Sequence, residues 1–431
     1  MKHIIRSFKY RNYRLFFMGQ SISLIGTWMQ RLAIGWLAYD LKDSALILGL
    51  VAFAGQIPAL FLTPLGGVIA DRYNKHKILV LTQTLAMIQA FVLAVLVMSD
   101  QITIWLLMLL NVCLGIINSL DMPTRQAFVI EMIGNKDDLG NAIALNSSMV
   151  NFAKLAGPTL AGFVLSVFGE GTCFLINAIS YLAVIASLLL MRTIPVIKSK
   201  KDSALLQLKK GLEYSFGFSP IKYIILLLSV VSLTAIPYMV LMPIFAKDIL
   251  HGGPKTLGFL MGFSGIGALL GAVYLASRKT VLGLGRVIVI ATSIFGASLV
   301  AFSFSRTLWL SEGLLIFAGF GMMIHMAASN TILQTITSDE MRGRVMSLYV
   351  TAFMGIMPFG SLLAGSLADK IGAPATLAIG GSICISAAIA FAYKLPSIRE
   401  LARPVYIEKG IIEQVEKGLQ SASQLSVPPE N

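Results

Sequence analysis

Residues 66–77 read Gly66-Gly67-Val68-Ile69-Ala70-Asp71-Arg72-Tyr73-Asn74-Lys75-His76-Lys77, and this stretch decides the fold. It lies between two apolar runs, roughly 45–70 and 78–98, each long enough to cross a bilayer. The stretch therefore reads as a tight basic hairpin at one membrane face. Its glycines let two helices approach closely, and Asn74 is a residue type that tolerates a left-handed turn. Arg72, Lys75 and Lys77 surround a single acid, Asp71, so the loop is net positive.

The rest of the chain fits that setting. Of 431 residues 56% are hydrophobic and 13% charged, with mean hydropathy +0.79, whereas a soluble domain carries about 25% charged residues. Apolar stretches of membrane-spanning length recur, and in lipid every backbone polar group must be satisfied internally, so each is read as a helix. The reading is an all-α polytopic membrane protein with twelve transmembrane helices, at roughly 14–40, 45–70, 78–98, 102–133, 140–168, 171–191, 221–247, 256–277, 286–305, 308–334, 345–370 and 374–394. The fourth span is too long to run straight through lipid, and Pro123 is expected to break or bend it. The first apolar stretch exceeds the length of a signal-peptide core. Residues 1–195 form an N-terminal six-helix bundle, 196–220 a lysine-bearing linker with a short amphipathic helix, and 221–395 a C-terminal bundle. Residues 396–431 form a tail, expected to be helical over about 405–420 and disordered beyond.

Lysines and arginines set the orientation. Most of the 34 fall in the termini, the linker and alternate loops; the opposite loops hold only Lys42, Lys247, Lys255, Arg306 and Lys370. Both termini are therefore placed in the cytoplasm, with the chain in the cell membrane. The net charge of +13 faces anionic lipid headgroups. Nucleic-acid binding is set aside, because the basic residues are scattered over short loops.

The chain also repeats itself. At a constant offset Gly140 aligns with Gly343, Leu145 with Leu348, Gly157 with Gly360, Gly162 with Gly365 and Gly169 with Gly372. Ala38-Tyr39-Asp40-Leu41 likewise resembles Ala246-Lys247-Asp248-Ile249, and Leu48-Gly49 matches Leu257-Gly258. Two six-helix bundles, pseudo-symmetric and in the same orientation, follow. Gly258-x-x-x-Gly262 and Gly267-x-x-x-Gly271 provide small-residue ridges for close packing.

Polar residues inside membrane spans are costly and so informative. Ser23, Thr27, Gln30 and Arg31 share one face of the first span; Asn111, Asn118, Asp121 and Arg125 share one face of the fourth. Lys154 lies in the fifth, and His325 and Ser329 in the tenth, with Glu312 nearer its outer end. Helices one, four, seven and ten lining a central cavity would give this distribution. Thr27, Gln30, Arg31, Asn111, Asn118, Lys154 and His325 are the candidate cavity residues. Arg31 either lines the cavity or joins an ion pair; Lys154 either points inward or reaches a carbonyl. Asp121 and Arg125 are expected to form a network with Arg72 or Lys75. Nothing here reads as an enzyme or a metal or cofactor protein: Cys113, Cys173 and Cys384 are isolated, the histidines are scattered, and no phosphate-binding loop occurs.

The opening hairpin resembles the loop between helices two and three of the major facilitator superfamily, Gly-x-x-x-Asp-Arg-x-Gly-Arg-Arg/Lys, with Asn74 where that pattern has Gly. Further stretches resemble the enterobactin-exporter-like branch: 16–31, Asp121-Met122-Pro123-Thr124-Arg125-Gln126-Ala127-Phe128, Ala153 through Gly162 with Lys154 where Arg is common, and Arg342 through Leu348. The resemblance implies a secondary active transporter that exports a small amphiphilic molecule by proton antiport through alternating access, as a monomer. A proton-coupled importer and a non-transporting receptor are the alternatives. Gly67, Asp71, Arg72 and Lys75 are then the conformational gate, Asp71 facing the positive end of the eleventh helix. Asp121, Glu312 and His325 are the candidate proton carriers, and Gly157, Pro158 and Gly360 supply bends or close contacts where the halves meet.

Overall fold

A computed structural model describes residues 6–192, 213–278 and 280–411. The bulk of the linker and the tail beyond 411 lie outside the described residues, and with them the helices expected there. Ten helices among the described residues are long and apolar enough to cross a membrane. Two further spans bring the number to the twelve expected. One is α1 (Arg11–Lys42), made too polar for that test by residues such as Gln20, Gln30 and Arg31. The other arises because the longest helix, Lys136–Leu189, is interrupted at Gly169, whose φ of 79° breaks it into α5 (136–168) and α6 (170–189).

The remaining helices are α2 (Ala45–Arg72), α3 (Lys75–Met98) and α4 (Ile104–Glu131) in the first half. The second half holds α7 (Ser219–Ile249), α8 (Pro254–Ser277), α9 (Leu284–Phe304), α10 (Leu308–Ile336), α11 (Asp339–Ile371) and α12 (Ala373–Glu408). No strand occurs among the described residues. Large apolar side chains such as Phe61, Trp105, Phe168, Val273 and Trp309 are exposed, as a lipid-facing coat requires.

Three local expectations are corrected. Pro123 does not interrupt α4, which stays helical through it. Asn74 is not left-handed: with φ −66° it is the N-cap of α3, its side-chain oxygen accepting from Lys77 N–H. The last span does not stop near 394. α12 continues to Glu408, with Leu395, Ile398 and Ala402 buried, and Lys409 Nζ donates to the carbonyls of Thr335 and Thr337 at the end of α10. The first residues of the expected tail thus belong to the C-terminal bundle, because their apolar face has a core to cover.

The chain crosses once per helix, so the turn at 73–74 and the turn at 43–44 lie at opposite faces, called here the Asp71 face and the Asp43 face. Within the first half, α1 packs on α5 and α6, and α2 on α4; within the second, α8 packs on α10, and α9 on α10 and α12. The two seams that join the halves are α2 with the second part of α11, and α5 with α8. Two irregularities sit in the second half: α7 is interrupted at Ala235–Pro237, where Pro237 lacks a donor, and α11 carries a wide turn at Thr351–Gly355.

Candidate functional site

The seams show how the halves meet. Across α5 and α8, a Cβ on Gly258 would lie 2.8 Å from the Pro158 carbonyl oxygen and 2.9 Å from Gly162 Cα. Across α2 and α11, a Cβ on Gly49 would lie 2.7 Å from the Ser361 carbonyl oxygen and 3.0 Å from Gly365 Cα. Only glycine permits backbones this close. Gly49 and Gly258 are repeat mates, as are Gly162 and Gly365, so each seam is the pseudo-symmetric copy of the other.

The same reciprocity appears in the charges at the Asp43 face. Tyr39 Oη donates to Asp248, and Lys247 Nζ donates to Asp40 at 3.1 Å and Asp43 at 2.9 Å. Tyr39-Asp40 and Lys247-Asp248 are the aligned positions of the repeat, and each contacts the other's partner, as a two-fold contact demands. Ser44 Oγ adds a bond to Asp369 at 3.0 Å. The Asp43 face is thus sealed by charge and by close backbone packing. At the Asp71 face the first part of α11, Asp339–Val350, packs on α7 and α10 of its own half.

Between the seal and the Asp71 face lies a basic and aromatic cluster. Arg31 on α1 has its guanidinium 4.6 Å from the Trp28 ring centre, and Lys154 on α5 has its ammonium 5.6 Å from the same ring. Arg31 is exposed although it sits deep in the span, while Trp28 and Lys154 are half-buried. Gly157, whose Cβ would meet the Ile25 carbonyl oxygen at 3.0 Å, brings α5 close enough to α1 to assemble the cluster.

The other predicted positions separate into distinct roles. Gln30 is 1% exposed and turned into the bundle: it donates to Gln89 on α3 at 3.1 Å and accepts from Asn177 on α6 at 2.6 Å. It ties three helices together and does not line a cavity. Asn111 donates to the Val51 carbonyl at 2.8 Å and seals α4 to α2. Thr27 donates to the Ser23 carbonyl along its own helix, and Asn118 is exposed. Pro158 meets α8 across the halves, whereas Gly360 packs within its own half on the interruption of α7, where a Cβ on it would lie 2.8 Å from Pro237 Cγ.

Asp121 is 4% exposed and accepts from Thr82 Oγ1 at 2.9 Å and Gln83 Nε2 at 2.6 Å, with Arg125 Nε at 3.5 Å. The expected link from Asp121 and Arg125 to Lys75 is not the one formed: Lys75 Nζ bonds Glu131 at 2.6 Å instead. At the hairpin, Asp71 is half-buried and Arg72 exposed, and a Cβ on Gly67 would meet nothing within 4 Å. His325 is fully buried. Thr292 Oγ1 already donates to the Ile288 carbonyl, so it accepts from His325 Nδ1–H at 2.8 Å. That tautomer leaves Nε2 as an acceptor with no donor. Glu312 is buried near the Asp43 end of α10, one turn from the exposed Trp309.

Two pseudo-symmetric six-helix halves, sealed at one face, fit a transporter. The family profile described as transmembrane secretion effector, within the major facilitator superfamily, matches residues 5–415. The chain belongs to that family. Among its relatives in this superfamily, the staphyloferrin A transporter of Staphylococcus aureus is 26% identical over 86% of this chain and 94% of its own length. Macrolide efflux protein A of Streptococcus pyogenes is 22% identical over 92% and 98%. Of solved structures, a POT family transporter in complex with 5-aminolevulinic acid superposes with TM-score 0.72 at 12% identity, covering 90% of this chain and 96% of that one.

As a major facilitator protein, the chain carries one functional element that the residue-by-residue reading did not assign. Tyr39, Asp40, Lys247 and Asp248 were legible as a repeat but not as a seal. The available signal was symmetry: aligned residues near a pseudo-two-fold axis of two packed halves meet each other's neighbours.

Proposed function

We propose that this transporter is a secondary active exporter that takes a small amphiphilic molecule from the cytoplasm, releases it outside the cell membrane and exchanges it for protons, working as a monomer. The observation that carries this reading is Arg31, exposed deep within its span and on the Asp71 side of a seal made by the Asp43 face. An arginine is not left exposed to hydrocarbon at that depth, so it faces an aqueous space between the halves. The distribution of Lys and Arg assigns the Asp71 face to the cytoplasm, so this form loads cargo from inside. The efflux role of a relative, macrolide efflux protein A of Streptococcus pyogenes, supports the same direction.

In this account the halves rock about the central site. Opening outward breaks the Lys247 and Tyr39 contacts and parts the two glycine seams. Closing the cytoplasmic side engages the gate of Gly67, Asp71, Arg72 and Lys75, with Asp71 approaching the N-terminus of α11, a contact worth about 0.3–1 kcal/mol at an exposed site. For the proton, His325 offers an open acceptor nitrogen and Glu312 a buried carboxyl. Asp121, already held by three donors, serves better as the brace between α3 and α4. No cofactor is needed.

The test is dye retention in cells with and without expression, before and after an uncoupler. Lower retention that the uncoupler abolishes supports the proposal; higher retention on expression would make the chain an importer.

A further inference from the structure

Arg31 and Lys154 share one ring and lack a counter-charge. Neither forms an ion pair with a carboxylate among the described residues. Arg125, the next basic group, is committed to Asp121. Counting 1.5 Å per residue, Arg31 lies about 17 Å from the Asp43 end of α1, and Lys154 about 21 Å from the same end of α5. Both cations are therefore at the same depth, near the middle of the bundle, on the accessible side of the seal. Two uncompensated charges held close together at that depth are expensive. The packing that creates them is specific: Gly157 admits the Trp28 side chain, and both cations lie over its ring.

Resting on the exporter reading above, we propose that Arg31, Lys154 and Trp28 form the cargo site and that it selects anions: small molecules bearing a carboxylate beside a flat apolar group. The carboxylate would bridge the guanidinium and the ammonium, each making a charge-assisted hydrogen bond, while the apolar group stacks on the indole in place of a cation. A cation would meet two like charges and be disfavoured.

The full chain in nanodiscs is titrated with carboxyfluorescein, an aromatic carboxylate, and with ethidium, an aromatic cation, followed by fluorescence anisotropy. Wild type should bind carboxyfluorescein. Arg31→Gln and Lys154→Gln should each weaken it by about tenfold or more, the loss of one charge-assisted bond, and leave ethidium affinity unchanged or raised. Arg31→Lys and Lys154→Arg keep the charge and should each bind carboxyfluorescein more tightly than the corresponding Gln variant, which separates lost charge from lost folding. The proposal is overturned if wild type fails to bind carboxyfluorescein, if the double Gln variant binds it as wild type does, or if both dyes weaken together. Transport separates the two readings. A protein that moves ethidium but ignores carboxyfluorescein is an exporter without this site, and one that binds carboxyfluorescein through Arg31 but moves nothing has the site without the export.

Discussion

Gly258→Ala should drive the transporter toward its outward-open form. The added methyl would stand 2.8 Å from the Pro158 carbonyl oxygen and 2.9 Å from Gly162 Cα. Both are backbone atoms that no rotamer change can move. Overpacking a close contact of this kind costs about 1–3 kcal/mol, which shifts a two-state equilibrium by about 5- to 150-fold. The strain is confined to a seam that alternating access must part in any case, so the outward-open form accommodates the methyl and the protein still folds. Gly365→Ala acts on the pseudo-symmetric seam, where its Cβ would meet the Ala45 carbonyl oxygen at 2.6 Å and Gly49 Cα at 2.8 Å. The seams share no partner, so the two substitutions should add. Spin labels on Asp100→Cys and Arg306→Cys, in a background lacking Cys113, Cys173 and Cys384, report the distance between the halves at the Asp43 face. Either alanine should lengthen it, and both together more so. Gly140→Ala, whose methyl would meet nothing within 4 Å, should leave it unchanged. Identical distance distributions in wild type and both seam variants would refute the argument that these glycines hold the seal.

Lys247→Ala removes the charge that bridges Asp40 and Asp43, all three partly exposed. The expected effect on outward opening is about 0.2–1 kcal/mol, read as a modest lengthening in the same label pair that high salt mimics in wild type. Asp121→Asn keeps an oxygen for Thr82 and Gln83 but replaces the Oδ2 that faces Arg125 with an NH2 donor and removes the charge, and should destabilise the first half by on the order of 1–3 kcal/mol, seen as a lower melting temperature in detergent, with dye export retained in the molecules that fold. Lys75→Ala leaves Glu131 without its ammonium partner in a largely buried setting, and a comparable loss is expected. His325→Gln keeps a donor for Thr292 but replaces the open imidazole nitrogen, and should uncouple export from the pH gradient; unchanged coupling would remove His325 from the proton path and leave Glu312.

The twelve spans were legible because length and apolarity are local properties of the chain. Misreadings arose where tertiary contacts decide. Nothing local says that residues 395–408 stay helical; they do so because Leu395, Ile398 and Ala402 find a core. Gln30 and Arg31 are neighbours in sequence and both polar, yet one is locked between Gln89 and Asn177 and the other is exposed. A helical face spans about 100° per residue, so adjacent positions diverge, and only the placement of α3 and α6 tells which way each points. The pairing of Lys75 with Glu131 was equally hidden, since those residues come together only when α3 and α4 pack. The seal was half-visible: the repeat identified its members, and the fold supplied their meeting.

The most direct test uses everted membrane vesicles, which present the cytoplasmic face outward. With the lumen made acid, vesicles carrying the wild-type chain should accumulate carboxyfluorescein, lose that uptake when an uncoupler collapses the gradient, and show little of it with Arg31→Gln. No gradient-dependent uptake of either carboxyfluorescein or ethidium, or loss of preloaded dye from the lumen under the same gradient, would contradict export by proton exchange.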